Sequence, residues 1–332
     1  MLSNSSHDRS GDPRDALADQ AAVRAMYERA PYPDLGAGLK DMSLFLGPLR
    51  AELASRQSLR YLDAGCGTGH GLVSVAKQNP SWDCYGIDLS QASLDVAAKL
   101  AERHGAKVTV ERGSYLDPLP FREGFNIIAA IGTIHHAGDP VMALRNLRAS
   151  LRDDGFLLMH VYGLRLDREK FDIKEMLSVF EPDLGNVERR FYFYDALMRH
   201  KQRNWLRQLA QMPVIDIFAG AKNWVRNLLR RSIGTAWSPP FTARYDQPTA
   251  PWVDHFCHPC ERAYEVPEVV ELVHRSGFEI YRMLGQGKEF RQLIPAEWMS
   301  EYEKLPKEAK WRLSELLAFR GGSFRLILRK AQ

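Results

Sequence analysis

The chain predicts an α/β protein, a doubly wound, mostly parallel seven-stranded sheet that carries a mainly helical insertion. Three observations lead to that expectation. Between residues 60 and 163, short apolar runs alternate with segments of helical period, as they do when parallel strands are joined by crossover helices. The run FNIIAAIG at 125–132 is apolar at nearly every position, as a strand buried on both faces must be. Close to the C-terminus a helix signal and two strand signals supply what such a sheet still needs after five strands.

Each element has its own reason. The first strand is read over 59–63; it ends in the glycine-rich turn from Gly65 to Gly69, and a helix follows through Gln78. The second strand is 84–88, after which Ser90 can cap a helix bearing Leu94, Ala97, Ala98 and Ala101 on one face. Val108 and Val110 begin a third strand with its exit over 113–120, and 125–132 is the fourth. A helix over 141–151 leads through the turn Asp153-Asp154-Gly155 into a fifth strand, 156–162. After the insertion, 266–276 reads as a helix with Pro267 in its first turn and Gly277 as its stop, and strands follow at 278–284 and 323–328.

Composition narrows the class. In 332 residues, 45% apolar, 26% charged and 10% aromatic side chains describe an ordinary globular chain and exclude a disordered or collagen-like one. Lys+Arg 45 against Asp+Glu 41 leaves +4, too near balance for a protein that binds nucleic acid over its whole surface. Four cysteines, Cys66, Cys84, Cys257 and Cys260, are too few and too unevenly spaced for a disulfide framework, and a reducing cytoplasm suits them best. No run approaches the roughly 18 apolar residues of a membrane span, and the first 20 residues lack the apolar core of a signal peptide.

The expected organisation is a disordered tail over 1–20, an N-terminal helical lid segment over 21–55, a core over 56–163, a helical insertion or substrate cap over 164–262, and completion of the core sheet over 263–332. Within the insertion, 199–231 holds eight Lys/Arg against one acid, Asp216, and KNWVRNLLRR places Trp224, Val225, Leu228 and Leu229 on one helical face. Three readings compete for that stretch: packing against its own core or a twin subunit in a homodimer, a surface for an anionic substrate or RNA, and a membrane-surface helix.

The chemistry starts at LDAGCGTGHG. Gly65 and Gly67 fit a G-x-G-x-x-G dinucleotide fingerprint, but its third position is His70; the glycines run Gly65, Gly67, Gly69, with Asp63 two places before the first. Glycines let a ligand approach the backbone, and a carboxylate at the strand end repels a pyrophosphate while suiting an ammonium group. That combination implies an amino-acid-bearing nucleoside. Asp88, nineteen residues beyond Gly69, closes the second strand where a carboxylate can accept from both ribose hydroxyls, and Ser114, Tyr115 and Asp117 follow the third.

This arrangement resembles the class I S-adenosylmethionine-dependent methyltransferases over most of residues 60–163. The markers are LDAGCGTG, YGIDLS, GSYLDPLP, FNIIAAIGTIHHAGDP, and LRDDGFLLMHVYG where members commonly carry a Pro-Gly-Gly-type turn. The resemblance implies a Rossmann-like methyltransferase sheet and S-adenosyl-L-methionine as cofactor. Its methionine part would lie near Asp63 and the backbone of Gly65, Gly67 and Gly69, its ribose on Asp88, its adenine against Leu89 with Ser114 and Tyr115 at the amino edge, and Gly132 beneath the methionine chain. Many members carry Asp where this chain has Ser114, so a charged contact to adenine is replaced by a hydroxyl or backbone one. YERAPYP near the start and DHFCHPCERAYEVPEVVELVHRSGF after the insertion look like a bacterial subgroup of the same enzymes.

Each signal has a plainer counterpart. Asp63 or Asp88 alone would pass as capping residues. Tyr27 and Tyr32 either close over the cofactor as an aromatic lid or staple the N-terminal helix to the domain. His135 and His136, after the fourth strand, either orient the substrate or take its proton, or else donate a structural hydrogen bond to a loop carbonyl. His255, Cys257, His258 and Cys260 crowd too closely for one tetrahedral zinc, so no metal is expected; they read as packing, or as a pocket wall where His258 and Arg262 face the transfer site. Function is accordingly read as transfer of a methyl group to a small molecule such as a secondary metabolite, modified peptide or sugar, rather than to tRNA or protein. A nicotinamide-dependent oxidoreductase and a non-catalytic S-adenosylmethionine-binding regulator are the readings from other classes.

Overall fold

The computed structural model describes residues 13–33, 37–54, 56, 58–121, 124–211, 247–284, 291, 294–317 and 323–332. Seven strands form one sheet: β1 Arg60–Ala64, β2 Asp83–Asp88, β3 Thr109–Arg112, β4 Phe125–Ile131, β5 Leu151–Val161, β6 Phe278–Leu284 and β7 Phe324–Lys330. Their order is β3-β2-β1-β4-β5-β7-β6. The first five strands pair in parallel, while β7 runs antiparallel to both β5 and β6. The expected α/β, doubly wound, mostly parallel Rossmann-like sheet is therefore present.

The helices in chain order are α1 Pro13–Arg29, α2 Ser43–Leu46, α3 Arg50–Leu53, α4 His70–Gln78, α5 Gln91–His104, α6 Pro140–Ser150, α7 Leu164–Phe180, α8 Val187–Gln211, α9 Ala250–Phe256, α10 Val266–Arg275, α11 Met299–Lys304 and α12 Lys307–Leu317. Ser90 caps α5 by accepting from Ser93 N–H at 3.1 Å, and Asp139 caps α6 by accepting from Met142 N–H at 2.9 Å.

Two apolar clusters fill the faces of the sheet. Leu62, Ala64, Ile128, Ala130, Leu157 and Met159 point to the side of α6 and α10. Tyr61, Ile127, Ala129, Leu158 and Ile327 point to the side of α4 and the segment from Met42 to Leu49. The period-2 alternation of buried strands accounts for the division.

The structure differs from the sequence reading at three main places. First, α1 starts at Pro13, so part of the stretch expected as tail is helical; proline suits a first helical turn, and Val23 and Met26 give the helix a buried side. Second, Asp153-Asp154-Gly155 lies inside β5 as an irregularity and not as a turn before it. Phe125 faces Leu151 and Ile127 faces Phe156, so five steps along β5 match two along β4. A Cβ at Gly155 would meet Leu151 Cδ1 at 2.8 Å and Asn126 O at 3.0 Å, which is why glycine stands there. Third, β3 covers Thr109–Arg112, later than the Val108 start.

The chain divides into two compact units, one of residues 1–168 and 258–332, the other 169–257. The second has its own core of Ile173, Leu177, Tyr194, Trp252, Phe256 and Cys257. Arg190, fully buried there, donates to the carbonyls of Glu181 and Phe256, which satisfies most of a charged group that burial would otherwise penalise. The amphipathic run KNWVRNLLRR lies outside the described residues. Among the described residues no helix is long and apolar enough to cross a membrane.

Candidate active site

The strand order reverses between β1 and β4, and ligands of doubly wound sheets bind at the carboxyl ends of strands on either side of such a switch. At this switch lies the turn from Gly65 to Gly69. Gly65, Gly67 and Gly69 have φ of +81°, +52° and +82°, a region that side chains disfavour. Space is as restrictive as angle. A Cβ on Gly65 would run into the Thr133 side chain, one on Gly67 would lie 2.6 Å from Tyr32 O, and one on Gly69 would lie 2.7 Å from Ala97 Cβ.

Asp88 is tied to this turn. Its Oδ2 accepts from Gly67 N–H at 2.8 Å and its Oδ1 from Ser90 N–H at 3.0 Å. Burial pushes its pKa upward, and these amides together with that of Leu89 oppose the rise. Each oxygen keeps a second lone pair, so a pair of vicinal hydroxyls can still donate to it. Asp63 is 7% exposed and its pKa is raised to about 6, by burial first; Lys40 opposes the rise and Asp88 adds to it. A ligand ammonium beside Asp63 would supply the positive charge that ionisation lacks. Gly132, φ +83°, would point a Cβ into open space, which leaves room for an extended chain at the end of β4. The residues thus fit an amino-acid-bearing nucleoside at both of its polar ends.

Ser114 and Tyr115 serve the loop as well as the site. Ser114 Oγ accepts from Leu116 N–H at 2.9 Å and from the Gln20 side-chain amide of α1. Tyr115 donates its hydroxyl to Thr133 O at 3.2 Å, and burial holds that phenol well above its ordinary pKa. Leu89 is half-buried between Asp88 and the cap of α5.

The N-terminal segment is fastened over the turn by residues that sequence reasoning passed over. Glu28 accepts from Gln91 N–H at 2.8 Å and from Ala92 N–H at 3.2 Å, a carboxylate from another element capping the start of α5. Thr68 donates its hydroxyl to Pro33 O at 2.8 Å and its amide to Tyr32 O at 3.3 Å, while His70 Nε2 donates to Ala37 O at 3.1 Å. His70, the residue that breaks the dinucleotide spacing, therefore anchors Ala37 and Lys40. That break in the spacing was the available signal.

At the end of β4 the histidines gather. His135 is fully buried, its ring 4.1 Å from His136 and 3.9 Å from Tyr162. His136 stacks on His258 at 3.7 Å, and Tyr27 meets His258 edge-on at 5.8 Å. His136 Nδ1 donates to Cys260 O at 3.1 Å, the structural bond to a loop carbonyl, which leaves Nε2 as its basic nitrogen in the neutral ring. His258 Nδ1 accepts from Cys260 N–H at 3.2 Å. Arg262 braces the loop of this cluster: its guanidinium donates to the carbonyls of Ala137 and Gly138, and its amide to His135 O at 2.9 Å. It holds the loop that presents the histidines.

A reversed strand order, a G-x-G-x-G turn tied to Asp88, and a buried acid at the end of β1 are features of the Rossmann-like methyltransferase fold. Residues 55–202 match the family described as "Methyltransferase domain". An uncharacterised protein of Synechococcus sp. is 26% identical over 78% of this chain and 57% of its own length. The ubiquinone biosynthesis O-methyltransferase of Actinobacillus pleuropneumoniae is 30% identical over 39% of this chain and 58% of its own. Among solved structures, PKMT2 from Rickettsia typhi in complex with AdoHcy shares the fold, with a TM-score of 0.56 and 15% identity over 82% of this chain and 49% of that one. The chain spans under three-fifths of the length of these curated relatives.

Proposed function

We propose that the protein transfers a methyl group from S-adenosyl-L-methionine to a small-molecule acceptor, such as a secondary metabolite, a modified peptide or a sugar, by in-line displacement. The observation that carries this reading is the stack of His136 on His258, with Tyr27 edge-on and His135 beside it, at the carboxyl end of β4 just beyond Gly132. Such a wall of imidazole and phenol rings suits a compact acceptor held near the sulfonium. The O-methyltransferase of ubiquinone biosynthesis among the relatives supports the same reading.

S-adenosylmethionine supplies an already electrophilic methyl group, so the chain's task is to align the nucleophile, exclude water and, for a hydroxyl or ammonium acceptor, remove a proton. His136 is the candidate for that proton, since its Nδ1 is committed to Cys260 O and its Nε2 is the basic atom. His135 and His258 orient the acceptor by packing and by their ring polarity. Tyr27, Leu89, Ser114 and Tyr115 surround the cofactor's nucleoside part, and Asp63, Asp88 and the turn hold its polar ends.

Incubation of the protein with methyl-labelled cofactor and a cell extract, followed by ultrafiltration, tests the acceptor class. Label in the low-molecular-weight fraction is the expected result. Label confined to tRNA or protein would overturn it.

A further inference from the structure

The carboxyl end of the sheet carries a basic group, Lys40, His160 and Arg325, outside the turn from Gly65 to Gly69. On β5, Leu158 lies in the cluster with Met42, Tyr61 and Ile327, so His160 two residues on ends the same face. On β7, Ile327 fixes Arg325 to that face by the same alternation, and Arg325 stands directly opposite His160 in the antiparallel pair. Lys40 joins them from the N-terminal segment: its amide donates to His70 O at 3.2 Å, two residues before the buried Met42.

Among the described residues Arg325 has no anionic partner, while Lys40 feels the charge of Asp63. Among the described residues neither the Lys40 nor the Arg325 side chain makes a hydrogen bond or an ion pair, although Arg325 is half-buried. Lys40 is an exposed residue whose ammonium is sheltered enough that burial lowers its pKa; Asp63 pulls the value up and Arg325 pushes it further down. His160 is lowered to about 4 by burial, then by Arg325 and Lys40, so it is uncharged at neutral pH. Two like charges facing a neutral imidazole repel each other, and a bound oxyanion would relieve that repulsion.

Position separates Arg325 and His160 from the cofactor's amino-acid end, whereas Lys40 acts on both Asp63 and Arg325. Arg325 is three strands from Asp63 in the order β1-β4-β5-β7, or about 14 Å at the usual spacing of about 4.8 Å between strands. The space between Lys40 and Arg325 therefore lies over β4 and β5, on the acceptor's side. We propose that Lys40 and Arg325 form an oxyanion subsite that receives a carboxylate or phosphate carried by the methyl acceptor, with the His160 ring as a neutral hydrogen-bonding partner. This rests on the reading of the protein as a small-molecule methyltransferase.

Calorimetry on the full chain saturated with S-adenosylhomocysteine, titrated with inorganic phosphate and with malonate, tests the subsite. Binding should weaken about fivefold or more in Lys40→Met and in Arg325→Met, and be largely kept in Arg325→Lys, while affinity for S-adenosylhomocysteine stays within about twofold in the Arg325 variants. If both Met variants lose S-adenosylhomocysteine affinity but bind methylthioadenosine, which lacks the amino-acid part, as the parent does, the anion is the cofactor's own carboxylate and the proposal fails. It fails equally if phosphate and malonate bind the parent and the variants alike, or bind none of them. Failure of the parent to bind S-adenosylhomocysteine at all would instead sink the methyltransferase reading. Arg325→Lys keeps the test usable if the Met variants do not fold.

Discussion

The amide of Gly67 donates to Oδ2 of Asp88 at 2.8 Å, so the turn after the first strand and the acid that closes the second form one unit. A carboxylate held this way is aimed before any ligand arrives, which lowers the ordering cost of binding. The same contact gives Asp88 a structural part in the turn.

Replacing Asp88 with Asn keeps the shape and removes the charge. The cofactor product S-adenosylhomocysteine should then bind about tenfold to a hundredfold more weakly, the range expected when charge-assisted hydrogen bonds worth about 1.5–3 kcal/mol are lost. Isothermal calorimetry measures it directly. An unchanged affinity would remove Asp88 from the ribose site.

Asp63 makes the binding pH-dependent. Its folded pKa of about 6 is above that of an ordinary carboxylate, so the ligand-free protein holds more protons than the unfolded chain between about 4 and 6. Stability of the ligand-free form should therefore fall as pH rises through that window. A ligand ammonium pairs with the ionised form, so affinity for S-adenosylhomocysteine should climb as pH rises through about 6 and then level off. Titrations at several pH values on the parent and on Asp63→Asn check this, the variant giving a weaker and flatter profile.

Two glycines with left-handed backbones separate angle from space. Gly69, φ +82°, has Ala97 Cβ 2.7 Å from the site of a new methyl, whereas Gly105, φ +62°, has nothing within 4 Å. Gly105→Ala should cost about 1 kcal/mol from backbone strain alone, and Gly69→Ala distinctly more, on the order of 2–4 kcal/mol. Urea unfolding midpoints of the two variants rank them, and equal losses would contradict the packing of α5 on the turn.

His136 is expected to act after binding. With an acceptor that must lose a proton, His136→Gln should lower kcat by about a hundredfold or more while leaving the affinity for S-adenosylhomocysteine within about twofold. A loss of cofactor affinity instead would make the ring a packing residue.

Much of this was legible in the chain because it repeats in simple periods. Alternation along the strands, the cap at Ser90 and the spacing of Asp63, Gly65, Gly67, Gly69 and Asp88 all follow local rules, and the structure brings those five residues together at one sheet switch. What escaped reading depends on contacts between distant segments. Glu28 caps α5 from 63 residues away, and Gln20 reaches Ser114 across 94, without a periodic trace in either stretch. Lys40 and Arg325 stand at opposite ends of the chain, and Arg325 takes its place beside His160 only through the pairing of β7 with β5. The turn expected at Asp153-Asp154-Gly155 became part of β5 because pairing with β4 outweighed the local turn preference.

The turn, Asp63 and Asp88 are proposed to hold S-adenosylmethionine. Calorimetric titration of the full chain with S-adenosylhomocysteine and, separately, with NAD tests it most directly. Saturable binding of S-adenosylhomocysteine that Asp88→Asn weakens at least tenfold is the predicted result, and binding of NAD alone would contradict the account.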